Sequence, residues 1–400
     1  MNGKSNKGMA DNVRSRNKAL AMVAKAQEKL TEGDLEAAWK AGRKALGLLQ
    51  DGEKEGQVET LPALTLLADI AVEKGDVEEA ASLFELAVEL DPEGLIPEYA
   101  GGGAEKFLWL AQLSEEGGEE SVEWFERGCE VLRRQIAMLD GQGGSMEEKH
   151  TPLQEKRQKL AQALCGIVEI YMTDLSYETG AEEKCERAIA EAMMVAPPDS
   201  PEVLQTLANV RISQDRIEEA KKALKASLGV WKEDPELDDR TPDFPTRISL
   251  ARLLMEVELL QEALTVVDRL VQEDDQSVEA WYLGGWCLHL LGSDGKHVDL
   301  DGKTARGHMN GNSKPHKPNH DVLSASRIWL KQSLELYDSC DYEDERLQEH
   351  AQELVEQLDF VLGAEAGNDS ADEGMEVEEV DEWEWNSEDD RAHQAYEEVE

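Results

Sequence analysis

The sequence predicts an all-α protein: a right-handed superhelical solenoid of about seven helix pairs, closed by a C-terminal capping helix and followed by a disordered acidic tail. Two observations carry this. A pattern of small and large apolar residues recurs along the chain at roughly 34-residue spacing, and the composition is 40% apolar but only 5% aromatic. That is enough for a packed core and poor in the residue types that strands favour. A third observation bears on function. With 41 Lys and Arg against 87 Asp and Glu, the formal net charge is −46. Such an excess argues against nucleic acid as a direct ligand, because phosphate contacts need Lys and Arg to displace counterions. A basic protein or peptide is the natural complement.

Residues 1–18 carry Lys and Arg without an apolar stripe and read as a flexible basic arm before a solenoid over 19–362. A weak first repeat begins near Ala19, with Ala26, Gly33, Asp34, Ala38, Ala45 and Leu46. The clearest copy runs from Leu61 to Pro92. There Leu64, Leu67, Ala68 and Ala71 form the packed face of a first helix, Gly75 and Asp76 the turn, and Ala80, Phe84 and Ala87 the packed face of a second. This resembles the tetratricopeptide repeat (TPR) frame, in which small residues let two helices approach and a bulky one fills the groove to the next pair. Two degenerate copies follow, one on Phe107, Leu110, Ala111, Ser121, Phe125 and Gly128, the other on Ala161, Leu164, Cys165, Val168, Cys185, Ile189, Ala192 and Pro197, with MTDLSYETG lengthening the second copy's turn. Further copies use Leu204, Leu207, Ala208, Ile217, Ala220, Leu224 and Leu228, then Leu250, Ala251, Leu254, Leu260, Ala263 and Val267. The seventh, VEAWYLGGWCLHLLG with SASRIWLKQSLELY, is split by an insertion. A last stripe of Leu347, Ala351, Leu354, Leu358 and Val361 reads as the capping helix that solvates the end.

The insertion over 292–320 is rich in Gly, Lys, Asn, Pro and His with no helical period, and is expected to be a mobile loop. In the tail, residues 363–400, 16 acids face Arg391 alone, a net of −15 that leaves −31 on the rest. The solenoid is therefore acidic in its own right.

Catalysis and cofactors find no support. GGGAEK at Gly101 lacks the spacing and the Lys-Ser/Thr pair of a phosphate-binding loop and reads as a connection between helices. His297, His308, His316 and His320 lie in the insertion, where Pro315 and Pro318 argue against the helix that an HxxxH metal pair needs. No metal site, no cofactor and no enzymatic activity are expected. Five cysteines without a CxxC pair suggest a reducing cytosol or nucleus. No 18-residue apolar run and no N-terminal apolar region occur, so neither a membrane partner nor secretion is expected.

In a stacked solenoid the first helices of the pairs line a concave wall. The positions assigned to it are Asp69, Leu108, Gln112, Glu115, Gln162, Glu169, Glu202, Asn209, Arg252, Glu279, Tyr282 and Trp286. TPR clamps that hold acidic peptides put Lys, Arg and Asn there. Here the sign is mostly reversed, and carboxylates with a few aromatics suit the Lys and Arg of a client. Trp383 and Trp385 among the tail acids read as a second, diffuse contact.

PDFPTRISLARLLMEV from Pro242, VEAWYLGGWCLHLLG from Val278, the inserted loop, a last helix and an acidic Trp-bearing tail together resemble the dedicated TPR assembly chaperones of the universal large-subunit ribosomal protein four, over Ala19 to Glu400. The resemblance implies capture of that newly made basic protein, shielding of its RNA-binding loop and escort to nuclear pre-60S particles, with residence in cytoplasm and nucleus. Two other readings stay open from the residues themselves: an acidic TPR adaptor or histone-chaperone-like protein for another basic client, and a TPR scaffold of an enzyme complex.

Overall fold

The computed structural model describes residues 3–50, 58–141, 146–231, 241–293 and 319–363. Among them are fifteen α-helices, two short 3-10 turns and no strand. Contacts divide the chain into two units, residues 1–275 and 276–400.

The first unit stacks six pairs: α1 (Gly3–Thr31) with α2 (Leu35–Gln50), α3 (Leu61–Glu73) with α4 (Val77–Leu90), α5 (Glu105–Leu113) with α6 (Gly118–Gly141), α7 (Met146–Met172) with α8 (Ala181–Val195), α9 (Pro201–Ser213) with α10 (Ile217–Gly229), and α11 (Phe244–Glu256) with α12 (Leu260–Glu273). Each helix packs on its partner, and each pair packs on the next, the order a solenoid requires. The second unit holds α13 (Val278–Gly292), α14 (His320–Ser339) and α15 (Glu345–Leu362). Seven pairs and a final helix match the expected architecture.

The repeat frame maps onto real packing. Ala38, Ala80, Ala220 and Ala263 each sit at the fourth residue of a second helix and are fully buried, so the paired helices meet without intervening bulk. Phe84, also buried, stacks on Trp109 of the following pair with ring centroids 6.3 Å apart. The turns are equally regular. Gly75 adopts φ 73°, its N–H donates to Val72 O, and Asp76 N–H reaches Ala71 O, after which the Asp76 carboxylate accepts from Glu79 N–H at 3.3 Å and caps α4. Asp215 and Glu258 take the same left-handed role, at φ 58° and 63°, without glycine's freedom.

Three expectations change. First, α1 starts at Gly3, so most of the segment read as a flexible arm over 1–18 belongs to the first helix. Second, α9 buries Val203, Gln205, Ala208 and Val210, while Leu204 and Leu207 are only half-buried; the Gln205 amide donates to Ser227 Oγ on α10, satisfying a polar group the apolar frame did not anticipate. Third, α6 and α7, at 24 and 27 residues, outgrow their frame. The connection that packs beside them, Asp91–Ala104, is held by a buried ion pair. Lys106 Nζ lies 2.9 Å from Asp91 Oδ2 and 2.9 Å from Gly103 O, and Asp91 Oδ1 accepts from Leu95 and Ile96 N–H. Burial lowers the Lys106 pKa, partly offset by Asp91. Gly101 to Ala104 thus lie in the inter-helix connection expected, and the Glu105 and Lys106 that follow open α5, with the lysine turned inward as a staple. Gly101 is required there: at φ 80°, a Cβ would stand 2.7 Å from the Leu61 and Pro62 backbone.

In the second unit, α13 ends at Gly292 and α14 begins at His320, and Asn319 N–H donates to Gly292 O at 3.2 Å. The insertion therefore leaves and re-enters the fold at one point. Residues 294–318 and 364–400 lie outside the described residues, and with them His297, His308, His316, Trp383 and Trp385.

Candidate functional site

Helical spacing builds the site. Residues seven apart lie two turns apart on one face, and four successive first helices each offer such a pair to one groove of the first unit: Glu105 and Gln112 on α5, Gln162 and Glu169 on α7, Glu202 and Asn209 on α9, Thr246 and Leu253 on α11. The groove encloses about 640 Å³. Its floor is apolar, from Leu108, Trp109, Phe125, Val168 and Met172, and its rim is polar. Lys159 pairs with Glu105, while Gln162 Nε2 donates to a Glu202 carboxylate oxygen at 3.1 Å. Glu169 and Asn209 are exposed. Three rim carboxylates against one lysine leave the groove negative.

Asp69 on α3 continues this line of first helices. Its carboxyl is half-buried, and its pKa is pushed up to about 6 by burial first and then by Glu105 and Glu73, with Lys159 opposing. Around Lys159, partial burial disfavours the charge, but the bond to Glu105 and the charges of Glu105, Glu98 and Glu155 prevail and raise its pKa. Cys165 also lines the groove, and burial lifts its thiol to about 11, so it stays protonated at neutral pH.

Comparison with known proteins agrees with this architecture. A tetratricopeptide repeat family model matches residues 61–93. A probable assembly chaperone of rpl4 from Emericella nidulans is 48% identical over 357 residues, 89% of this chain and 85% of its own length. One from Schizosaccharomyces pombe is 33% identical over 297 residues, 74% and 80% of the two chains. The solved structure of the assembly chaperone of RpL4 (Acl4), residues 1–338, is 50% identical with a TM-score of 0.64, covering 68% of this chain and 96% of that one. The chain belongs to the family of rpl4 assembly chaperones.

Within this family member the sequence-assigned wall residues part into three groups. Leu108, Gln112, Gln162, Glu169, Glu202 and Asn209 line the groove, and Asp69 is electrostatically joined to it. Glu115 does not: α5 stops at Leu113, and Glu115 sits exposed in the connection to α6, so a spacing of three from Gln112 has no helix to run on. Arg252 is exposed next to the lining residue Leu253. Glu279, Tyr282 and Trp286 belong to the second unit. There Tyr282 is buried, its hydroxyl 2.6 Å from His350 Nδ1, and the Trp286 ring stands edge-on to His350 at 5.1 Å. These aromatics seat α15 and do not form an open wall. Burial lowers the His350 pKa, and burial together with His350 lowers that of His289.

Sequence reading missed Glu105, Lys159 and Trp109. The signal was present in part, since Glu105 precedes Gln112 by seven and Lys159 precedes Gln162 by three on the same helix face.

Proposed function

We propose that this chain is a dedicated chaperone of the large-subunit ribosomal protein L4, the protein named in its relatives' descriptions, and that the groove between α5 and α11 holds a basic segment of that client. One observation carries the reading: the first helices α5, α7 and α9 each present a seven-spaced polar pair, and α11 adds Thr246 and Leu253, over an apolar floor, so an extended chain can lay Lys and Arg against Glu105, Glu169 and Glu202 while bulky side chains enter between them. The protein works by binding, without catalysis and without cofactor. RNA competes for the same basic side chains, so hand-over needs no ATPase. The chaperone accompanies its client from cytoplasm to nuclear pre-60S particles, and tail residues Trp383 and Trp385 add a second contact that acts on the association rate.

Titration calorimetry of purified L4 against the full chain tests this. Glu169→Lys with Glu202→Lys should weaken the complex roughly hundredfold, with the helical circular dichroism retained, because both side chains are at the groove rim. Deleting residues 364–400 should slow association at low salt and leave most of the affinity. If the double reversal bound L4 as the wild type does, the groove would not be the client site.

A further inference from the structure

The first helix pair has the opposite charge sign from the rest of the molecule. Residues 1–50 hold ten Lys and Arg against five Asp and Glu, a net of +5, which leaves −51 on the other 350 residues. Five of the lysines are ordered in space. On α1, Lys18, Lys25 and Lys29 recur at seven and four residues and form one row, and on α2 Lys40 and Lys44 stand one turn apart. The helices meet through fully buried Ala19 and Ala26 on α1 and Ala38 and Ala45 on α2, in the antiparallel register marked by Ser15 Oγ donating to Leu48 O at 3.3 Å. In that register both lysine rows fall on the same flank of the pair. On α2 this flank lies opposite Gly42, the residue that abuts Leu67 of α3. The lysines therefore face away from α3, at the end of the stack.

Between the rows runs a trough floored by Met22 and Leu48, both half-buried, with Ala41 beneath. Lys18, Lys25, Lys40 and Lys44 are exposed, and among the described residues no carboxylate pairs with them; Lys29 pairs with Glu32. In the later pairs of this unit the corresponding flank is covered by the preceding pair, as α3 is by α1 and α2. We propose that this lysine-walled trough docks an acidic amphipathic helix of a partner protein. The apolar floor selects a stripe at i, i+3 and i+4, and the lysines on either side select carboxylates flanking that stripe. A nucleic-acid strand would use the lysines and leave the floor empty, and the surrounding −51 repels it. The fold already contains one helix of this type: α15 buries Leu347, Ala351, Leu354 and Leu358 against its own unit and turns Glu349, Glu353 and Glu356 outward. The proposal does not depend on the client groove, which has the opposite sign and lies on different helices.

The test is fluorescence anisotropy of a labelled helical peptide of about 18 residues, with Leu at i, i+3, i+4 and i+7 and Glu and Ala elsewhere, titrated with the full chain. A scrambled peptide of the same composition and a single-stranded oligouridylate are the controls. Saturable binding is expected, weaker by about tenfold or more for the scrambled peptide, for Lys18→Glu/Lys25→Glu/Lys40→Glu/Lys44→Glu and for Met22→Asp, with circular dichroism of each variant unchanged and L4 affinity preserved. Equal binding of the scrambled peptide, tighter binding of the oligouridylate, or an unaffected lysine variant would overturn it. Sedimentation showing self-association that the lysine variant abolishes would give the face to a second copy and overturn it as well.

Discussion

Two places on this chain carry the side chains that a sequence reading assigns to a client-binding wall, and they have opposite fates. In the first unit, Gln112, Glu169, Glu202 and Asn209 stay open on a groove. In the second, Tyr282 and Trp286 are packed against His350 of α15. The difference follows from position. A first helix with another pair stacked beyond it shares its apolar flank with that pair and keeps its polar face free. α13 belongs to the last pair, and α15, which would otherwise expose the stripe Leu347, Ala351, Leu354 and Leu358, closes over it. Equivalent repeat positions are thus functionally equivalent only inside the stack, and aromatic content at a terminal pair reports packing.

The largest test of this contrast is Trp286→Ala. As part of the α15 seat it should cost about 3 kcal/mol of stability, at the low end for a Trp truncation because the ring is half-buried. Thermal melting reads the loss, and a variant of wild-type stability with reduced L4 affinity would return Trp286 to the client surface.

Acidity should separate the two places next. The Asp69 carboxyl titrates near 6 when folded against 3.8 as a free group, so the folded state holds the extra proton and stability falls as pH rises from about 4 to about 6. Asp69→Asn should therefore stabilise the protein at pH 7 by roughly 1 to 2 kcal/mol and have little effect at pH 4. His350 and His289 have depressed values, so the unfolded state binds the proton first and their contribution is lost as pH falls below the ordinary 6.5. Tryptophan fluorescence of the second unit should report loosening of the α15 seat between pH 7.5 and 5.5, and no change over that range would remove the histidines from its support.

The smallest effects are in the turns. Gly75 and Asp341 both hold positive φ, 73° and 49°, one in each unit. Gly75→Ala should cost about 1 kcal/mol and Asp341→Gly should gain about 0.5 kcal/mol, since the aspartate occupies a left-handed position that glycine takes freely.

Much of this architecture is legible in the residues alone, and the reasons it stops being so are local. The buried alanines at 38, 80, 220 and 263, the Gly75–Asp76 turn and the stripe of α15 are periodic, and periodicity survives without coordinates. The groove is legible in outline because its polar lining residues lie on the first helices of successive pairs, seven apart on one face. Lys106 escaped because a buried lysine is recognisable only once its partner Asp91, fifteen residues away, is known to fold back on it. Glu115 was misplaced because nothing in the spacing says that α5 ends after nine residues, and Tyr282 because the helix that covers it comes 68 residues later.

The hydrogen bond from Asn319 to the Gly292 carbonyl has a consequence for how the chain tolerates change. It ties together the two ends of a 26-residue excursion, 293–318, so the helices on either side experience a connector of fixed span whatever lies between. Joining two fixed points costs free energy only as the logarithm of the chain used, about 0.6 kcal/mol for each doubling. Length at this position should therefore be nearly neutral for folding, which makes it a place for an experimenter to graft a fluorophore or an affinity handle without disturbing the α15 seat.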